Sequence, residues 1–114
     1  MSRKQKLTVG GELAIPLILA YIEYNHKWFK DKLPEYVPIF WGTKKELGEH
    51  YMGTCFYTVP AIVILDELKS LPCVAETSLL HEMVHLEFPG SGHGKKFKMR
   101  MRELAKQGAF DGLL

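Results

Sequence analysis

Cysteine is scarce in this 114-residue chain: only Cys55 and Cys73 occur, and they form no C-x-x-C pair. That excludes a cysteine-ligated zinc ribbon and falls far short of a disulfide scaffold. Two reduced, mostly buried thiols in a cytosolic protein are expected, a single Cys55–Cys73 disulfide being the alternative. Long hydrophobic runs are missing too. The longest apolar stretch, Leu13 to Ile22, is too short to cross a membrane core that needs ~20 residues. Arg3, Lys4 and Lys6 precede it in the manner of a secretory signal, but Glu12 and Glu23 border it, Pro16 interrupts it and no small-x-small cleavage site follows, so a signal peptide is not expected. There is little charge imbalance. Lys+Arg is 15 against Asp+Glu 13, a net +2 that announces no nucleic-acid binder by itself. No repeat, low-complexity tract or linker breaks the chain. What remains is 46% hydrophobic and 25% charged, an ordinary globular composition sized for one core.

Residues 1–11 read as a basic N-terminal arm ending at Gly10-Gly11, and 12–114 as one domain. Apolar spacing predicts a helix from about Pro16 to Lys30, with Ile15, Ile18, Ile22 and Phe29 on one side, and Leu17, Tyr21, Tyr24 and Trp28 beside them. Pro16 suits its first turn and Leu33-Pro34 ends it. Val37 to Trp41, Gly48 to Met52, Cys55 to Thr58 and Ala61 to Leu65 are strand candidates, expected as a small meander with the β-branched 61–65 run the best buried. A helix is predicted from about Pro72 to Phe88, broken by Pro89-Gly90-Ser91-Gly92, and a last helix from about Lys95 to Gln107, stopped by Gly108. Helix, sheet, helix, helix is an α+β order.

The chemistry sits in His81-Glu82-Met83-Val84-His85, an H-E-x-x-H motif. Residues four apart share one face of a helix, so the two imidazoles can grip one metal ion while Glu82, about 100° further round, lies beside it. Zinc suits such ligands. With five histidines in the chain, chance predicts roughly 0.02 such motifs, and this one falls in a segment read as helix on other grounds. A third ligand is needed. His93, in a glycine-rich turn eight residues beyond His85, is the favoured one; Glu103, on the final helix, is the rival. His26 and His50 have no metal-type partner at useful spacing and are expected to be structural or exposed.

These residues resemble the SprT-like (Spartan-type) zinc metalloproteases. Leu80-His81-Glu82-Met83-Val84-His85, followed by Gly92-His93-Gly94 and Phe97, is similar to that family's active-site core, and the H-G-x-x-F element opening the last helix is the specific part. Leu33-Pro34, Ile39, Trp41, Gly48, the Ile62–Leu65 strand and Leu68 resemble its N-terminal half and central sheet. The resemblance implies a minimal zincin-like fold, His81, His85 and His93 as ligands of one catalytic Zn2+, and Glu82 as general base. It also implies a protein substrate, association with single-stranded or damaged DNA and with proteins crosslinked to it, and a cytoplasmic, bacterial or phage-encoded protein, nucleoid association included. The chain stops at Leu114 without the zinc ribbon of longer members, which weakens the expectation of DNA-dependent activity.

Three functions are therefore open: a zinc-dependent endopeptidase; a non-catalytic, zinc-holding nucleic-acid adaptor or regulator; and a metal-dependent hydrolase of a non-protein bond. An extended substrate pairing with a sheet edge, and hence weak sequence specificity, is expected of the first. A tyrosine or arginine is expected to assist the oxyanion. Lys95, Lys98, Arg102 and Lys106 share one face of the last helix and are the candidate DNA contacts, solvated helix charge being the alternative. Trp28, Trp41 and Tyr51 are expected to be core residues rather than base-stacking platforms.

Overall fold

In the computed structural model, residues 11–113 are described. Arg3, Lys4 and Lys6 of the basic arm lie outside them. The chain enters through a two-residue strand, β1 (Glu12–Leu13), that the sequence pattern did not reveal, and turns into helix α1 (Ile15–Phe29) with Pro16 in its first turn. Of the apolar positions named for α1, Leu17, Tyr21 and Phe29 are buried, joined by Asn25, whereas Ile15 and Ile22 are exposed. The face is set by polar anchors that hydropathy overlooks. The Asn25 amide donates to the Leu33 carbonyl at 3.1 Å and accepts from the Leu33 N–H at 3.2 Å, and the Tyr21 hydroxyl donates to the Pro34 carbonyl at 2.6 Å. These bonds fold the following segment back along the helix, which ends at Lys30 in a left-handed conformation, ahead of Leu33-Pro34.

Strand β2 (Ile39–Gly42) leads into a one-turn helix, α2 (Lys44–Leu47), in a segment for which no element was predicted, and the strand expected from Gly48 to Met52 is a turn instead. A capping box explains it: Glu46 N–H donates to the Thr43 hydroxyl while Thr43 N–H donates to the Glu46 carboxylate. β3 (Gly53–Phe56) and β4 (Ala61–Leu65) then form a hairpin, and β3 starts two residues earlier than predicted. The sheet is mixed, in order β1-β2-β4-β3, with the central β2–β4 pair parallel and the outer pairs antiparallel. The expected meander is thus wrong. α2 and β3 form the crossover between β2 and β4, and β3 is left on the outer edge. All five residues of β4 are buried, as expected of the β-branched run.

A short 3-10 helix (Asp66–Ser70) leads to α3 (Pro72–Glu87), which Pro72 opens. α3 is buried on most sides, against α1, the sheet and the last helix, α4 (Lys95–Gln107). Leu79, Leu80, Met83 and Val84 are fully buried there, with Ile39, Ile62 and Ile64 of the sheet. Gly108 stops α4 with a positive φ that costs glycine no strain. The described residues form an α+β fold of four α-helices and one small mixed sheet. No helix among the described residues is long and apolar enough to cross a membrane. Both cysteines are free, and Cys73 is exposed rather than buried, because it sits on the outer face of the first turn of α3.

Candidate metal centre

His81 and His85 stand one turn apart on α3, and their Nε2 atoms are 3.2 Å apart. His93 arrives from the turn between α3 and α4. Gly90 and Gly92 hold positive φ there, and Gly94 N–H bonds back to the Ser91 carbonyl before α4 begins. That path brings His93 Nε2 to 3.2 Å from His81 Nε2 and 3.1 Å from His85 Nε2. Among the described residues this is the group whose ligand atoms converge on one point. Phe97, from the first turn of α4, packs on all three rings, 4.5 Å from His85 and 4.8 and 4.9 Å from His81 and His93 between centroids.

The donor set fits a metal ion. A tetrahedral ion with Zn–N bonds of 2.0–2.1 Å spaces its ligand nitrogens about 3.3 Å apart, close to the triangle present here. Three neutral imidazoles aimed at one point set lone pair against lone pair, which a cation between them relieves. Burial pulls His81 down to about 4, helped by the neighbouring charges of His85 and His93, and burial with His93 lowers His85 too; both are therefore neutral, as ligands must be, at physiological pH. His93 is exposed, so the group opens to solvent on that side.

Glu82 is 6% exposed and lines the same cleft of about 180 Å³ as the three histidines. Burial raises its carboxyl to about 7, offset in part by a hydrogen bond from Cys55. The opposite wall is β3. Gly53 and Cys55, two apart on one face of that strand, both line the cleft with Glu82. A Cβ on Gly53 would lie 3.3 Å from the Glu82 Oε2 atom and 3.0 Å from Ile64 Cδ1, so glycine makes the room for the carboxylate. Tyr51 and Tyr57, just outside the two ends of β3, complete the lining. Sequence spacing gave no hint of Gly53, Cys55 or Tyr57 as cleft residues. Their only signal is the alternation of a strand whose start was misplaced.

Glu103 is not part of the cluster. It accepts from Arg100 Nη1 at 2.7 Å, on the side of α4 facing the end of α1. A groove of about 750 Å³ lies there, lined by Trp28, Glu87, Arg100 and Glu103 among others, and it shares no residue with the histidine cleft. Lys95, Lys98, Arg102 and Lys106 are exposed along the outer face of α4, whereas Arg100 is turned inward. His26 pairs with Asp31 at the surface, and His50 is exposed; neither joins the three-histidine cluster. Two variants separate the candidate third ligands. His93→Ala is expected to lose bound metal, and Glu103→Ala to keep it, when dialysed protein is analysed for metal content. The reverse result would overturn the assignment. No protein-family model, curated protein or solved structure matches the chain.

Proposed function

We propose that the chain is a zinc-dependent endopeptidase with a zincin-like site of the SprT type, His81, His85 and His93 holding one Zn2+ and Glu82 serving as general base. The observation that carries this is the convergence of three imidazole nitrogens within 3.2 Å, with a buried carboxylate in the same cleft, under an open sheet edge. Zinc is favoured over harder ions by an all-imidazole ligand set, and when bound it supplies a Lewis acid that makes water nucleophilic near neutral pH.

The chain's own residues do the rest. Glu82 takes the proton from the attacking water and returns it to the leaving amine nitrogen. Among the described residues β3 has a neighbouring strand on one side only, so its outer edge can pair with an extended peptide, placing the peptide main chain along the wall that faces Glu82. Pairing through backbone groups selects weakly among side chains. The test is to remove metal with a chelator, reload with zinc alone, and follow casein cleavage. Cleavage lost on chelation and restored by zinc is the expected result; protein that takes up no zinc, or cleaves equally without it, refutes the proposal.

A specific observation favours DNA-associated substrates: Lys95, Lys98, Arg102 and Lys106 form an exposed cationic row on α4. If that row contacts phosphates, replacing Lys98 or Arg102 by alanine lowers single-stranded DNA affinity and reduces the slope of log K against log[salt] by about 0.7 per contact. The slope is measured by fluorescence-polarisation titration at several salt concentrations. An unchanged slope assigns the row to solvation and leaves the peptidase without DNA. DNA binding together with bound zinc and no cleavage under any condition would favour the non-catalytic adaptor.

A further inference from the structure

We propose that Met52 and Phe56 are specificity-determining residues, which select extended substrates carrying two large apolar side chains four residues apart with the cleaved bond between them; this rests on the reading of the cleft as a peptidase site. The phase of the bonds between β3 and β4 carries the argument. Leu65 N–H donates to the Met52 carbonyl at 2.9 Å, and the register places Gly53 opposite Ile64, Thr54 opposite Val63, Cys55 opposite Ile62 and Phe56 opposite Ala61. Met52 and Leu65 are thus a hydrogen-bonded pair one residue beyond the strand. In an antiparallel ladder bonded and non-bonded pairs alternate. Met52, Thr54 and Phe56 therefore turn their backbone N–H and C=O groups inward to β4, whereas Gly53 and Cys55 turn theirs to the outer edge. Gly53 and Cys55 are also the strand residues that line the cleft with Glu82 and the three histidines. A peptide added on this edge bonds to those two residues, beside the candidate metal centre.

The same phase assigns the peptide's side chains. Those opposite Gly53 and Cys55 point to the cleft face, and those opposite Met52, Thr54 and Phe56 point to the other face. The latter are non-bonded pairs on this edge, with Cα atoms about 4.5 Å apart instead of about 5.5 Å, so their side chains lie closest. Met52 is 53% exposed and Phe56 41%, and neither lines the cleft. They stand four positions apart with the small Thr54 between them, two apolar platforms beside the site. Apolar cross-strand pairs favour an apolar residue over each platform. Backbone pairing fixes the direction of the chain and selects weakly; the platforms add the side-chain preference. An alternating apolar sequence, the pattern of a half-buried strand, meets this spacing and becomes accessible once the protein carrying it has unfolded. The substrate class is thus unfolded protein exposing such segments.

The test maps cleavage sites by mass spectrometry in a mixed peptide library treated with the zinc-loaded, full-length chain. Large apolar residues are expected to be enriched about two- to fivefold at each of two positions, four apart, that span the cut bond. Phe56→Ser is expected to abolish the enrichment at one of them and Met52→Ser at the other, with bound zinc and melting temperature unchanged. No enrichment, enrichment at another spacing, or enrichment that survives both substitutions would overturn the assignment. A second readout needs no turnover. A fluorescein-labelled peptide with two leucines four apart is titrated against the zinc-loaded Glu82→Gln variant by fluorescence polarisation. It is expected to bind on the order of tenfold more tightly than the same peptide with serines there, and Phe56→Ser to remove much of that gap. Equal affinities would overturn the assignment too. If the wild-type protein cleaves nothing, the peptidase proposal falls, while this titration still decides whether the edge reads the two side chains. If the serine variants change the oligomeric state in light scattering and leave the peptide preference intact, the platforms belong to a contact with a second copy of the chain, and the assignment is wrong.

Discussion

Glu82→Gln is expected to lower peptide hydrolysis by ~10²–10⁴-fold while leaving zinc bound. The substitution is close to isosteric, which matters at a side chain only 6% exposed and confined by the backbone of Gly53. Glutamine keeps a side-chain oxygen in the same place, but the amide cannot take up a proton. None of the three histidines is altered, so metal content separates loss of the base from loss of the site. Cleavage within a few-fold of wild type, with zinc retained, would place the base elsewhere. The same pair of proteins carries a stability prediction. Burial raises Glu82 from 4.5 to about 7, so in the metal-free protein the unfolded chain ionises first, and the folded state loses stability as pH climbs through that window. The glutamine variant lacks this loss. In metal-free thermal melts its advantage over wild type should be absent below pH 4.5 and should grow up to about pH 7. Taking the difference between the two proteins removes the contribution of the histidines, which they share. A gap that does not change with pH would contradict the burial argument.

What the sequence disclosed, and what it hid, divides along physical lines. α4 matches its predicted span, and α3 ends within one residue of prediction, because proline, glycine and helical periodicity mark their boundaries locally. His81 and His85 were legible for the same reason, a fixed four-residue spacing on one element. His93 was legible only as a candidate, since its approach depends on how the Gly90–Gly94 turn folds back. The other wall of the cleft was not legible. β3 carries one glycine, one threonine, one cysteine and one phenylalanine, with no alternation of hydropathy to fix its register, and the Thr43–Glu46 capping box was overlooked in a segment given no element. The parallel β2–β4 pairing is long-range, and neither strand encodes its neighbour. Apolar spacing marked two adjacent rows on α1 without choosing between them, because Asn25 and Tyr21 are fixed in the interior by bonds to Leu33 and Pro34, a tertiary fact that spacing does not contain.

Arg100 produces the second large effect. Its side chain is 12% exposed, and its guanidinium reaches three acceptors on three elements: Glu87 at the end of α3 at 2.8 Å, Glu103 on α4 at 2.7 Å, and the Trp28 carbonyl at the end of α1 at 2.7 Å. Its plane also lies 5.0 Å from the Phe29 ring. Arg100→Ala leaves Glu87, 16% exposed, as a half-buried charge without its partner, and is expected to destabilise the fold by about 2–4 kcal/mol. Most of that is the cost of stranding Glu87, since Glu103 is half exposed and can be solvated. Arg100→Lys should rescue little, because one ammonium cannot span acceptors that a planar fork reaches in different directions. Arg100→Met combined with Glu87→Leu should restore much of the loss by removing both charges together. Urea denaturation checks this, with a midpoint lowered on the order of 1–3 M for alanine at unchanged slope. A shift below a few tenths molar would show the network to be dispensable. The effect should reach the metal as well: Glu87 and Arg100 bracket the turn that presents His93, so alanine at position 100 should weaken zinc binding in protein that is still folded, as read by competition with a chromogenic chelator. Unaltered zinc affinity in that protein would mean the turn holds its shape without the tie between α3 and α4.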